Sequence, residues 1–99
     1  MRAGYEVVTR YNDLSTAYYL LASSLENLGE LKYALVHYMH CVQAGRTYDT
    51  FDDEHVEAML RCANALGQTA FVRKWFEDLA KRDPKMKRYM QRLLALGKL

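Results

Sequence analysis

The sequence predicts an all-α fold, and three observations carry that prediction. Apolar residues recur at spacings of three and four through five separate stretches, which lines them along one face of a helix each time. β-branched residues are few and never alternate with polar ones, so no stretch reads as a strand. Gly29, Gly67 and the pair Asp83-Pro84 punctuate the helical pattern, and Gly67 stands 38 residues after Gly29 with the same kind of apolar spacing on either side.

Residues 1–12 (MRAGYEVVTRYN) carry Tyr5, Val7, Val8 and Tyr11 without a strong period, and read as a short arm or as the tail of an earlier helix. Asp13 and Ser15 are suited to cap the first helix, because their side-chain oxygens accept from the free amides of a first turn. That helix runs to about Leu28 with Leu14, Tyr18, Leu21, Leu25 and Leu28 on one stripe. Gly29 ends it, being free to take the left-handed conformation that closes a helix. A second helix follows with Leu31, Ala34, Leu35, Tyr38, Cys41 and Val42 in period. So short a connection turns it antiparallel to the first.

Gly45–Asp52 (GRTYDTFD) is expected as a loop, with Thr50-x-x-Asp53 resembling a capping box. The third helix takes Asp53–Leu66, with Val56, Met59, Leu60, Ala63 and Leu66 inward, and Gly67 stops it. The fourth takes Thr69–Lys81 on Val72, Trp75, Phe76, Leu79 and Ala80. Asp83 is driven out of helical geometry by the proline behind it, and Pro84 starts a fifth helix with Met86, Tyr89, Met90, Leu93 and Leu94 in its stripe.

Ninety-nine residues allow one domain, which removes about 60–70% of its unfolded surface from water. Net charge is +2, too small to demand nucleic acid, but it is unevenly spread. Residues 1–72 hold 5 Lys/Arg and 9 Asp/Glu (net −4), whereas residues 73–99 hold 9 and 3 (net +6). Such a dipolar chain favours charged partners or head-to-tail contacts. Cys41 and Cys62 sit inside apolar helical patterns, which suits a reducing, intracellular and preferentially cytoplasmic location. No apolar run is long enough to span a membrane, and residues 1–12 lack the pattern of a signal peptide.

The first hairpin carries a finer pattern that the second follows only in part: a large residue, a Leu-small pair and a further large residue on the first helix, then a small residue and an aromatic four later on the second. In the first unit these are Tyr18, Leu21-Ala22, Leu25, Ala34 and Tyr38. In the second they are Val56, Met59-Leu60, Ala63, Val72 and Phe76, with Pro84 at the end. The gap from Tyr18 to Ala34 equals that from Val56 to Val72, 16 residues in both. Over about residues 15–84 the chain resembles the tetratricopeptide repeat family.

The resemblance implies a single helical-repeat domain over residues 1–99. Antiparallel hairpins 14–44 and 53–82 would stack as a short right-handed α-solenoid, with 85–96 as the capping helix solenoids need for solubility. Val72, Ala63 and Arg46 depart from the pattern, and the period of 38 exceeds the usual one of about 34.

In that family the first helices line a concave groove, here Tyr19, Ser23, Glu26 and Asn27, then Glu54, Glu57, Arg61 and Asn64, then Arg88, Gln91 and Arg92. Members that clamp a peptide carboxylate use basic residues on the fifth helix, which only Arg88 and Arg92 match. The expectation is therefore a non-catalytic scaffold or assembly subunit that binds a protein or peptide partner, or a further copy of itself. Two hairpins fall short of the three or so repeats that usually stand alone.

The chain also resembles the pentatricopeptide repeats, through Gly45 and the following RTYDT, and these imply RNA association in a ribonucleoprotein. Leu20 and Ala58 hold the positions that would read bases, and neither hydrogen-bonds to a base edge. The basic residues of the last two helices remain a candidate phosphate surface. His37, His40 and Cys41 are close enough on one helix to suggest a metal, yet Cys41 lies on the inward stripe and no second ligand pair exists. No catalytic residue, metal or cofactor is expected. Tyr19 and Tyr33 lie off the core stripes and read as interface residues.

Overall fold

The computed structural model describes residues 14–48 and 53–97. All regular structure among these is α-helical: α1 Leu14–Asn27, α2 Leu31–Tyr48, α3 Asp53–Ala65, α4 Thr69–Arg82 and α5 Pro84–Ala95. No helix among them is long and apolar enough to cross a membrane.

Gly29 and Gly67 close α1 and α3 with the same hydrogen-bonded turn. At the first, Glu30 N donates to Leu25 O at 2.9 Å and Gly29 N to Glu26 O at 3.0 Å. At the second, Gln68 N donates to Ala63 O at 2.7 Å and Gly67 N to Asn64 O at 3.1 Å. The glycines take φ of 83° and 69°, a conformation that costs other L-residues about 1–2 kcal/mol. Asp83 stands extended between α4 and α5, and its Oδ1 accepts from Lys85 N at 2.8 Å and Met86 N at 3.4 Å, with Pro84 in the first turn. These three punctuation points lie where the sequence put them.

The core lies between the helices and is built from Ala22 of α1, Ala34, Leu35, Tyr38 and Val42 of α2, Val56, Met59, Cys62 and Ala63 of α3, Val72, Phe76, Leu79 and Ala80 of α4, and Met86, Tyr89 and Leu93 of α5. α1 packs most extensively on α2, α2 on α3, and α4 on α5. The stripes expected on the second, third and fourth helices face this core, with Trp75, Leu60 and Leu66 at its margin.

Three expectations are corrected. The stripe of α1 is rotated by about one residue: Ser15 and Ala22 are buried, while Leu14, Leu21 and Leu28 are 41%, 48% and 76% exposed. Small residues win the inward positions because α1 then approaches α2 closely, with Tyr19 and Leu25 filling the flanks. Ser15 is accordingly a buried residue inside α1 rather than its cap, and Asp13 lies outside the described residues.

Second, α2 does not stop at Ala44 but runs through Gly45 to Tyr48. Gly45 is itself buried, one turn beyond Cys41. A glycine inside a helix costs only about 0.5–1 kcal/mol, which packing on this face offsets. Residues 49–52, including Thr50 of the expected capping box, lie outside the described residues. Third, Leu94 was expected inward and is 49% exposed, since α5 buries the narrower stripe Met86, Tyr89 and Leu93.

Candidate functional site

Two surfaces merit description, one polar and one apolar. The polar one begins with Glu26, near the end of α1. Arg61 of α3 forks onto it, Nε to Oε2 and Nη2 to Oε1, both at 2.8 Å. Tyr38 of α2 donates its hydroxyl to the same Oε1 at 2.7 Å, and Ser23 Oγ lies 3.4 Å from that hydroxyl. One carboxylate thus ties three helices together.

The electrostatics follow from this geometry. The Arg61 hydrogen bonds hold the Glu26 carboxyl at about 2, well below its ordinary 4.5, against the opposing effect of burial. The same pair raises the Arg61 guanidinium further above its usual range. Burial pushes the Tyr38 phenol up to about 12. Burial and the nearby Glu26 charge push the Cys62 thiol up to about 11, which leaves it a packing group rather than a nucleophile.

A second tie joins α3 to α5. Arg92 Nη2 donates to Asp53 Oδ1 at 2.7 Å, the Tyr89 hydroxyl donates to the same oxygen at 3.2 Å, and the guanidinium lies 5.1 Å from the Tyr89 ring centroid. Arg92 thereby neutralises an acid of this chain.

Of the expected groove residues, Ser23, Glu26, Arg61 and Arg92 are brought into these two clusters and engaged within the chain. Tyr19, expected off the core stripes, packs on the core, its ring 5.8 Å from that of Tyr38 and 4.8 Å from His55. Asn27, Glu54, Glu57, Asn64, Arg88 and Gln91 are exposed. Arg88 and Arg92 share one face of α5, but the Asp53 carboxylate already occupies Arg92. Of the two positions matched to base reading by the pentatricopeptide resemblance, Ala58 is buried in the core on α3, while Leu20 is exposed.

Sequence reasoning missed Asp53, Tyr89 and the hydroxyl of Tyr38 as partners. Tyr38 and Tyr89 were recognised only as apolar stripe members, and the pairings span 12 to 39 residues, beyond any helical spacing.

Cys41 and Cys62 are both buried, and neither is part of a disulfide. His37 donates through Nδ1 to the Tyr33 carbonyl at 2.8 Å, and His40 stacks on Tyr18 with ring centroids 5.4 Å apart. Among the described residues no group of three or more His, Cys, Asp or Glu is placed to hold a metal ion.

The apolar surface centres on Phe71 of α4, whose side chain is 60% exposed. On one side lies a shallow pocket of about 260 Å³ lined by Lys32, Leu35, Leu66, Gln68 and Phe71. On the other lies one of about 500 Å³ lined by Ala70, Phe71, Lys74, Trp75 and Asp78. Phe71 and Trp75 are four apart and so share a helix face. Lys74 and Asp78 pair at 3.7 Å on the rim. An exposed aromatic between two apolar hollows, rimmed by charge, has the anatomy of a protein docking surface.

Searches against protein-family models, curated proteins and solved structures returned no match to this chain.

Proposed function

We propose that this chain is a non-catalytic, tetratricopeptide-like interaction module that serves as a scaffold or assembly subunit of a larger intracellular complex. In this reading hairpins α1–α2 and α3–α4 stack as a short right-handed solenoid, and α5 caps it. Two features support the repeat: the matched glycine turns 38 residues apart, and the ion pairs linking α1 to α3 and α3 to α5. The observation that carries the function is the Phe71 patch. Ser23, Glu26, Arg61 and Arg92 of the expected groove are engaged within the chain, whereas Phe71, Trp75 and Leu66 offer apolar surface that a protein partner would cover.

The test is native co-purification of the full chain against Phe71→Asp. Phe71 is largely exposed, so the substitution leaves the fold intact while placing a charge in the docking centre. A stoichiometric partner held by the wild type and lost in the variant is the expected result. An unchanged partner set would sink the assignment of this patch.

RNA association is the second candidate role, favoured by the exposure of Lys81, Arg82, Lys85, Lys87 and Arg88 where α4 meets α5. Electrophoretic shift with RNA at two salt concentrations separates the two roles. Salt-sensitive binding weakened by Arg88→Ala supports RNA; no shift at low salt removes it.

A further inference from the structure

Helices favour acids in the first turn and cations in the last, where each opposes the charge of the helix dipole. α4 follows this rule, ending in Lys81 and Arg82. α5 breaks it. Its start holds no acid and carries Lys85, Lys87 and Arg88, at the end where the dipole itself is positive. The two sets meet across the extended Asp83, so residues 81–88 hold five cations and one carboxylate, a net of +4.

The fold does not offset this crowding among the described residues. All five cations are exposed, and none forms an ion pair with a described residue. Asp83 Oδ1 accepts from the amides of Lys85 and Met86. One turn back along α4, Asp78 pairs with Lys74, and Glu77 stands outside ion-pairing distance of Lys81. Cations that oppose their own helix and neutralise no acid of the described chain are matched by anionic charge from outside it.

The make-up of the patch selects among anions. The remaining exposed residue between 81 and 88 is Pro84, while Met86 is buried. A protein interface has an apolar core from which lysine is depleted, and this patch has no such core. A membrane-surface helix lays an apolar face into the lipid, whereas the apolar stripe of α5 is buried against its neighbours. Single strands are held by bases stacked on aromatic rings, and the rings nearest in sequence, Phe76 and Tyr89, are buried. Phosphate charge alone is left to recognise, and it is densest on a duplex, with one charge per roughly 1.7 Å of axis against about 3.4 Å for each strand.

We propose that the α4–α5 elbow binds the phosphate backbone of a nucleic-acid duplex without regard to base sequence. This rests on the RNA-association reading above and narrows it to paired strands. Phe71 lies ten residues before Lys81 on α4, about 15 Å along the axis, so the two surfaces are separate.

Fluorescence anisotropy of the full chain with duplex RNA, duplex DNA and single-stranded RNA of equal length tests it. With five phosphates neutralised, duplex affinity should fall about 500-fold between 50 and 200 mM salt, and should exceed single-strand affinity on the order of tenfold at 50 mM. The double variant Lys87→Ala/Arg88→Ala should reduce that salt loss to about 40-fold. It should also melt at or above the wild-type temperature, because it relieves like charge at the start of α5. Lys32→Ala, which removes an exposed cation of α2, and Phe71→Asp should leave binding unchanged.

Binding of either duplex supports the proposal, and the tighter of the two identifies its source. Preference for the single strand overturns it while leaving RNA association standing; no binding of any nucleic acid at 50 mM salt overturns both. Equal competition by poly-glutamate or by phosphatidylserine vesicles would assign the patch to an acidic protein or a lipid surface instead. An unchanged salt loss in the double variant, or a lower melting temperature, also overturns it, the latter by showing that these cations serve the fold.

Discussion

Replacing Arg61 with alanine isolates the tie between α1 and α3. The substitution removes two charge-assisted hydrogen bonds of 2.8 Å and leaves the Glu26 carboxylate with the Tyr38 hydroxyl and the Cys62 thiol as partners. The Glu26 side chain is only 21% exposed, which argues for a substantial loss, but Arg61 is 58% exposed and its charge is partly screened. Discounted for that screening, the expected cost is about 1–2 kcal/mol at neutral pH. For a chain of this size the urea midpoint would fall by roughly 0.5–1.5 M.

The pH dependence is the sharper part of the prediction. Glu26 ionises near 2 when folded and near 4.5 when unfolded. Its pair with Arg61 therefore stabilises the fold fully above about pH 4.5, and that contribution is lost as pH falls toward 2. The stability gap between wild type and Arg61→Ala should be constant from pH 6 to 7 and shrink to less than about half by pH 3. Urea melts followed by circular dichroism at these pH values measure it. A gap of the same size at pH 3 and pH 7 would refute the carboxylate as its origin, and a gap near zero at pH 7 would show that solvent cancels the pair.

Three further outcomes follow from the packing. Gly67→Ala should cost about 1–2 kcal/mol in thermal or urea melts, because open space surrounds the site and only its φ of 69° penalises a side chain; a neutral result would mean that the turn relaxes. Ala22→Leu should destabilise by about 1–3 kcal/mol, since Ala22 is fully buried where α1 meets α2, and tolerance of leucine there would contradict the observed rotation of α1. Cys62 should resist thiol reagents at pH 8 in the folded protein and react once urea unfolds it, because burial holds its pKa near 11; rapid native-state labelling would contradict this.

Much of the fold was legible because it rests on local physics. Gly29, Gly67 and Asp83-Pro84 stop helices through backbone conformations that depend on those residues alone. The stripes of α2, α3 and α4 were legible because their apolar residues leave one wide face and no competitor. α1 was not, because it carries a single charged residue and its small hydroxyl side chains mark no clearly polar face. Leu14, Leu21 and Leu28 fit a helical stripe as well as Ser15, Tyr19 and Ala22 do, and periodicity cannot choose between two apolar faces. Gly45 misled for the opposite reason: its local preference is to end a helix, and burial beside Cys41 overrides a penalty of about 1 kcal/mol.

The candidate surfaces divide in the same way. Sequence by itself determined an all-helical chain, the places where its helices break and the uneven charge of its two parts, since each depends on neighbouring residues or on composition. Only the tertiary structure decided that Glu26 meets Arg61, that Asp53 meets Arg92, and that Phe71 rather than Tyr19 stands open to solvent. Those outcomes depend on how helices rotate and approach one another. Residues dozens of positions apart then compete for the same space, and the smallest side chains determine which face turns inward.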